Sequence, residues 1–143
     1  MTPALTDTLT LGAITGMRSM SGPLALALRF GGVSEGVFGI MAAGEMLADK
    51  TSLVGNRTDT VPLAGRALVG AVVGAMVSRE HGSSIVAGVA LGAATAVVAA
   101  HLAYRLRRRL PVSNVLGGML EDGLALGLAA SYATRRRRAA RQR

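Results

Sequence analysis

Six charged side chains lie within or close to apolar segments of the sequence, and they are the residues best placed to do chemistry. They are Arg18, Glu45, Asp49, Arg66, Glu121 and Asp122. A charge at membrane depth is costly unless it faces the interior of a helical bundle. Carboxylates placed there can bind a cation or a proton. The sequence therefore predicts a substrate- or ion-binding centre at these six residues. The alternatives are ion pairs that only fix packing, and charges that reach out to water.

The pair Glu45 and Asp49 carries the strongest constraint among these charges. The two residues are four apart, so they share one face of a helix. Two carboxylates in that position repel each other, and they need a cation, a basic partner or a shared proton.

Other site chemistries find little support in the sequence. Neither His81 nor His101 has a second metal ligand at helical spacing, and there is no cysteine. Ser19 and Ser21 lack the G-x-S-x-G turn that presents a nucleophile, and no phosphate-binding or dinucleotide-binding loop is present. We therefore expect no catalytic residue, no metal and no cofactor, and we do not expect an enzyme.

The longest apolar segment is residues 83–104, which contains no charged side chain other than a histidine. As a helix it would be roughly 33 Å long, enough to cross the hydrocarbon core of a bilayer. It ends in a cluster of four arginines, as a membrane-flanking segment does. These are Arg105, Arg107, Arg108 and Arg109. The segment predicts a transmembrane helix.

The rest of the chain has the same character. Half of the residues are hydrophobic, with 19 glycines but only 2 Phe and 2 Tyr, a composition that suits close packing of helices in lipid. Further helices are predicted at residues 5–30, 33–50, 62–78 and 111–134. The fold class is therefore an all-α integral membrane bundle of four to five spans. Residues 1–134 form its single domain, and residues 135–143 form a basic cytoplasmic tail.

The first helix is predicted to be broken within residues 16–23. The hinge residues would be Gly16, Gly22 and Pro23, because proline removes a helix donor and glycine supplies a joint. Either a discontinuous membrane helix or a simple loop between two short helices would fit this pattern.

Two short likenesses suggest an internal repeat. LGAITG at residues 11–16 resembles LGAATA at 91–96, and GEMLAD at 44–49 resembles GGMLED at 117–122. The matches have the same order and one helix between them, which predicts an inverted two-helix repeat. Coincidence between apolar segments is the alternative.

A net charge of +8 needs an acidic partner. The clustered arginines adjoin apolar segments and lack interleaved aromatic residues, so the expected partner is anionic lipid headgroups and no nucleic acid. The second cluster is Arg135, Arg136, Arg137 and Arg138. With five spans, the two sides of the membrane would carry nearly equal numbers of basic residues. This predicts dual topology, in which the protein inserts in both orientations. Alternatively, a re-entrant segment puts both clusters on one side. A homo-oligomer is a further expectation.

A set of motifs in the first half of the chain resembles a known family. They are E-x-x-x-D-K from Glu45, the triplet at residues 56–58, P-x-x-G-R from Pro62, and GMRSMSGP at 16–23. Together they resemble an uncharacterised bacterial family of small multi-pass membrane proteins, a domain of unknown function. The likeness covers most of residues 11–78. It implies a compact helical bundle in the bacterial cytoplasmic (inner) membrane, and it brings no activity with it.

The favoured function at this level is a channel or transporter for a cation, a proton or a small solute, using the intramembrane carboxylates. The alternative is a non-transporting structural or interaction subunit of a membrane complex. A holin-like pore former fits the small size but not the many interior charges. Carboxylates around a wet cavity would favour transport, and dry, tightly paired charges would favour the structural role.

Overall fold

The computed structural model describes residues 1–30, 33–48, 60–109, 111 and 113–141, and within these residues the regular structure is entirely helical. The helices are α1 (Pro3–Met17), α2 (Ser21–Phe30), α3 (Val33–Ala48), α4 (Thr60–Glu80), α5 (Ile85–Arg109) and α6 (Asn114–Arg141). The prediction of an all-α fold is confirmed.

The first apolar segment forms two helices rather than one. Thr2 caps α1, with Pro3 in the first turn, and α1 ends where Arg18 takes an extended conformation. The break is therefore at residues 18–20, inside the predicted range. The three predicted hinge residues are themselves helical: Gly16 lies in α1, and Gly22 and Pro23 lie in the first turn of α2. Proline is tolerated there because helix N–H groups in the first turn have no intrahelical partner.

Helix α2 turns back against α1. A Cβ on Gly22 would overlap Thr15 of α1 and would lie 3.1 Å from the carbonyl oxygen of Leu11. Leu11 and Ile14 of α1 also share a buried cluster with Ala25 of α2. Of the two arrangements left open by the sequence, this is the pair of short helices joined by a tight turn.

Small residues bring α4 and α5 into close antiparallel contact. A Cβ at Gly70 would lie 2.6 Å from the Gly92 carbonyl oxygen, and one at Gly74 would overlap the Gly88 carbonyl. Four glycines, spaced four residues apart on each helix, thus lie in one interface. At Gly123, by contrast, an added Cβ would have no atom of the described residues within 4 Å. The number of glycines in the sequence did not show which of them would lie in a packed face.

Helix α1 also packs against α5, and the two helices run in the same direction. Gly12 lies against Thr95, and Gly16 lies against Ala96 and Ala99. The first helices of an inverted repeat would run in opposite directions. The predicted inversion is therefore wrong, because the break at residues 18–20 adds one more helix to the count between the two copies.

Helix α6 packs against α2 and α1 and continues through Arg141. The basic segment predicted as a frayed tail from residue 135 therefore extends the helix. No proline or glycine follows Thr134, and Arg and Ala are strong helix formers, so nothing in the sequence ends the helix there.

Two of the helices that the structure describes, α4 and α5, are long and apolar enough to cross a membrane. Helices α1 and α2 are shorter than the roughly 20 residues that a crossing needs. The predicted bundle of four to five spans is therefore not confirmed. Only 28% and 22% of the apolar windows of α4 and α5 are buried, whereas the core helix of a water-soluble protein is mostly covered.

Several large apolar side chains face outward, whereas two arginines are buried. Ile40, Leu68 and Val86 are 76%, 68% and 79% exposed. Arg18 and Arg66, in contrast, are almost fully buried. Large apolar patches on a surface mark a membrane or a partner, and intramembrane charges face the bundle interior.

Candidate polar centre at the α1–α2 break

The carboxylate of Glu45 holds the break between α1 and α2. Its Oε1 accepts hydrogen bonds from the Ser19 backbone N–H at 2.9 Å and from the Ser19 hydroxyl at 2.6 Å. Its Oε2 accepts from the Met20 backbone N–H at 2.9 Å. The break exposes N–H groups at the start of α2, and a negative charge is favourable at that end of a helix. Glu45 thus acts as a cap supplied by α3.

The guanidinium of Arg18 forms an ion pair with Asp122 of α6. Arg18 is only 1% exposed, and Asp122 is 8% exposed. Arg18 stands at the C-terminal end of α1, where a positive charge is favourable. The break is therefore held on both sides: α3 binds the start of α2, and α6 binds the end of α1.

Arg66 of α4 completes the centre. It is 5% exposed, and its Nη2 lies 3.8 Å from the Glu45 Oε1. The described part of the centre then contains two guanidinium groups and two carboxylates, and their formal charges cancel. We call Arg18, Glu45, Arg66 and Asp122 the polar centre.

Glu121 does not belong to the polar centre. Its Oε2 lies 3.8 Å from the Nη1 of Arg107 on α5, so it points away from Arg18. Neighbouring residues on a helix point in directions about 100° apart, which separates Glu121 from Asp122. Of the six predicted residues, the structure brings Arg18, Glu45, Arg66 and Asp122 together and places Glu121 beside Arg107. Asp49 lies outside the described residues.

The two GEMLAD-like segments each supply one carboxylate to the break. Glu45 comes from the first and Asp122 from the second. Glu45 is the second residue of its hexapeptide and Asp122 is the last residue of its own. The two carboxylates that contact the break are therefore not equivalent residues of the two segments. The sequence repeat itself stays a prediction.

A second cluster of charges lies at the opposite end of the bundle. Asp7 of α1 forms an ion pair with Arg136 of α6, and its Oδ2 lies 3.6 Å from the Nε2 of His81. The His81 Nδ1–H donates to the Val77 carbonyl at 2.9 Å, so Nε2 can accept from the Arg136 Nη2, also at 2.9 Å. This cluster attaches the end of α6 to α1 and to the turn between α4 and α5.

The Asp7 cluster was not predicted from the sequence. A single carboxylate inside the apolar stretch of α1 was the available signal, since an isolated intramembrane acid calls for a partner. Arg136, assigned to lipid headgroups in the sequence analysis, has its ion pair with Asp7 instead.

The two arginine clusters lie at opposite ends of the bundle. Arg107 lies beside Gly118 near the start of α6, whereas Arg136 lies beside His81 at the turn between α4 and α5. The alternative in which a re-entrant segment brings both clusters to the same side is therefore wrong for this fold.

No three histidine or acidic side chains come together as a metal site in the ranges given above. Comparison with family models, with curated proteins and with solved structures finds no match. The family resemblance of residues 11–78 therefore rests on its motifs alone and stays a prediction.

Proposed function

We propose that the chain is a multi-pass protein of the bacterial cytoplasmic membrane and acts as a structural or interaction subunit that transports nothing itself. The observation that carries this proposal is that Glu45 and Asp122 both hold the α1–α2 break. Glu45 accepts three hydrogen bonds, and Asp122 pairs with a buried arginine. A cation would have to displace these contacts before it could bind either carboxylate.

The pairing of charges in the polar centre supports the same function. Among the described residues of the centre, two arginines lie against two carboxylates. A bound cation would add positive charge beside two buried guanidinium groups, which is unfavourable in a low-dielectric environment.

Membrane placement is supported by the exposed apolar faces of α4 and α5. In this arrangement the α4–α5 hairpin crosses the bilayer, and α1 and α2 lie against it with their polar groups turned inward. Exposed arginines at each end, such as Arg109 and Arg138, then face the headgroup layers.

The decisive experiment combines flux and stability measurements on one set of variants. We expect purified wild-type protein in liposomes to conduct protons and monovalent cations no faster than protein-free liposomes. Glu45→Gln and Asp122→Asn should lower the thermal stability in detergent, because each leaves an opposite charge buried without its counter-charge. Glu80→Gln is the matched control, since Glu80 is exposed at the end of α4.

A transporter for a cation, proton or small solute is the second candidate, and the helix break favours it. Unwound backbone beside intramembrane carboxylates is the usual construction of a transport site. Here Arg18 would compete with the substrate cation for Asp122. This function predicts wild-type flux that Asp122→Asn abolishes while thermal stability stays unchanged, and that result would refute the structural role.

A further inference from the structure

A groove of about 330 Å³ lies between α5 and α6. Helix α5 packs on α4 and α1, and α6 packs on α2 and α1, so the two helices flank α1 and leave a gap. Ala13 and Met17 of α1 form the floor, and the walls include Leu102 of α5 and Leu120 of α6. Most of its lining is apolar.

One end of the groove lies at the arginine-rich end of α5. Arg107 lines it and reaches over Gly118 of α6, where an added Cβ would lie 3.4 Å from its Nη2. Arg105, Arg108 and Arg109 are exposed on the last turns of the same helix. The Arg108 guanidinium carbon lies 5.8 Å from the centre of the Tyr104 ring. The acid that lines the groove is Glu121, which pairs with Arg107.

We propose that the groove binds one acyl chain of an anionic phospholipid, whose phosphate is held by Arg107 and the adjacent exposed arginines. The inference rests on the proposed membrane placement but not on whether the protein transports anything. The apolar part extends from the arginines toward the middle of α5. A lipid with its headgroup at the membrane surface has the same polarity, with its charge at the arginine end and its tail inward.

The size of the groove distinguishes this occupant from a helix of a second copy. The volume lies within the range of small-molecule pockets, about 300–1,000 Å³. A helix with its side chains is about 10–12 Å across, so one or two turns of it would already exceed a volume of about 330 Å³. The arginines select the headgroup, because a zwitterionic lipid offers them no net counter-charge.

Lipid retention by the full-length protein in detergent tests the proposal. Phosphatidylglycerol or phosphatidylcholine is added, and the lipids kept by each protein molecule are counted by native mass spectrometry. We expect preferential retention of phosphatidylglycerol. Arg107→Gln should weaken it about fivefold, the effect of one basic residue at an anionic surface. Glu121→Gln should strengthen it, because the substitution removes a negative charge beside the phosphate.

The opposite signs of these two variants separate a lipid site from a purely structural ion pair. If the pair served packing only, both variants would lower lipid retention together or leave it unchanged, and the proposal would be overturned. Equal retention of the two lipids by the wild-type protein would overturn it as well.

A groove-filling variant tests where the acyl chain lies. Ala103→Phe should reduce phosphatidylglycerol retention, whereas Val98→Phe on the exposed face of the same helix should not. If Ala103→Phe instead converts a dimer to a monomer with lipid retention unchanged, the occupant is a second copy and the proposal is wrong. Carbonate extraction of cell membranes checks membrane placement separately, so its failure is distinguishable from the absence of a lipid site.

Discussion

The Arg18 guanidinium and the Asp122 carboxylate form a buried ion pair that joins the end of α1 to α6. Removing one member leaves the other charge in a site where water cannot replace the lost partner. We expect Arg18→Leu or Asp122→Leu alone to lower the free energy of unfolding by about 3–5 kcal/mol. The double variant should recover a large part of this loss, because neither member of the pair then remains buried without the other. Unfolding in detergent measures all three, and additive losses would contradict the prediction.

Glu45→Gln should destabilise the turn between α1 and α2. The amide keeps one acceptor oxygen, but its NH₂ group cannot accept from the Met20 N–H, and the charge opposite the helix end is lost. Hydrogen bonds to a charged group contribute about 1.5–3 kcal/mol, and we expect a loss of that size. Thermal unfolding measures this loss. The free energy of unfolding of the exposed control Glu80→Gln should stay within about 0.5 kcal/mol of the wild-type value.

Glycine substitutions in α4 should have opposite signs at two positions. Gly74→Ala places a methyl group against the Gly88 carbonyl and should cost about 1–3 kcal/mol. At Gly65 an added Cβ would have no atom of the described residues within 4 Å, so Gly65→Ala should stabilise the helix by about 0.5–1 kcal/mol. Unfolding curves of the wild type and of the two variants measure both effects. Equal effects at the two positions would mean that α4 and α5 are not in close contact.

Asp7→Asn should release the C-terminal half of α6 without unfolding the bundle. Arg136 would lose the ion pair that attaches this segment to α1, and the arginines from residue 135 onward would become better protease sites. Limited trypsin digestion should therefore cut the variant faster near residues 135–138. Arg138→Gln, at an exposed position of the same helix, controls for the loss of one charge and should leave the rate of the remaining cuts unchanged.

The C-terminus should be found on both sides of the membrane. The arginine clusters lie at opposite ends of the bundle, so neither orientation gains a large advantage from cytoplasmic positive charge. C-terminal reporter fusions active in each compartment should both give signal. Exchanging all four arginines of residues 105–109 for glutamine should move the C-terminus to the cytoplasm. A wild-type C-terminus confined to one side would contradict dual topology.

The helices could be predicted from the sequence because their signals are local. Apolar stretches, Pro3 and the break before α2 need only neighbouring residues for their interpretation. The pairing of charges is not local. Glu121 and Asp122 are adjacent in sequence, but their partners, Arg107 and Arg18, belong to different helices, and only the rotation of α6 decides which acid faces which arginine.

Helix direction was equally inaccessible to sequence reasoning. The predicted inversion was wrong because the turn at residues 18–20 adds one helix, which reverses the direction of each later helix relative to α1. Likewise, Asp7 has its partner at the far end of the chain, where the basic residues looked like an ordinary membrane-flanking tail.

The position of α1 in the bundle also constrains how the protein is made. The ribosome makes α1 before α6, but the ion pairs of Asp7 and Arg18 are both formed with α6. In the proposed membrane arrangement these two pairs form only after α6 has been inserted, because lipid offers a charged group no substitute partner. Helix α1 is thus synthesised well before the contacts that fix its position can be completed. A nascent chain stopped after α5 would lack both ion pairs, a difference that quality-control proteases could recognise.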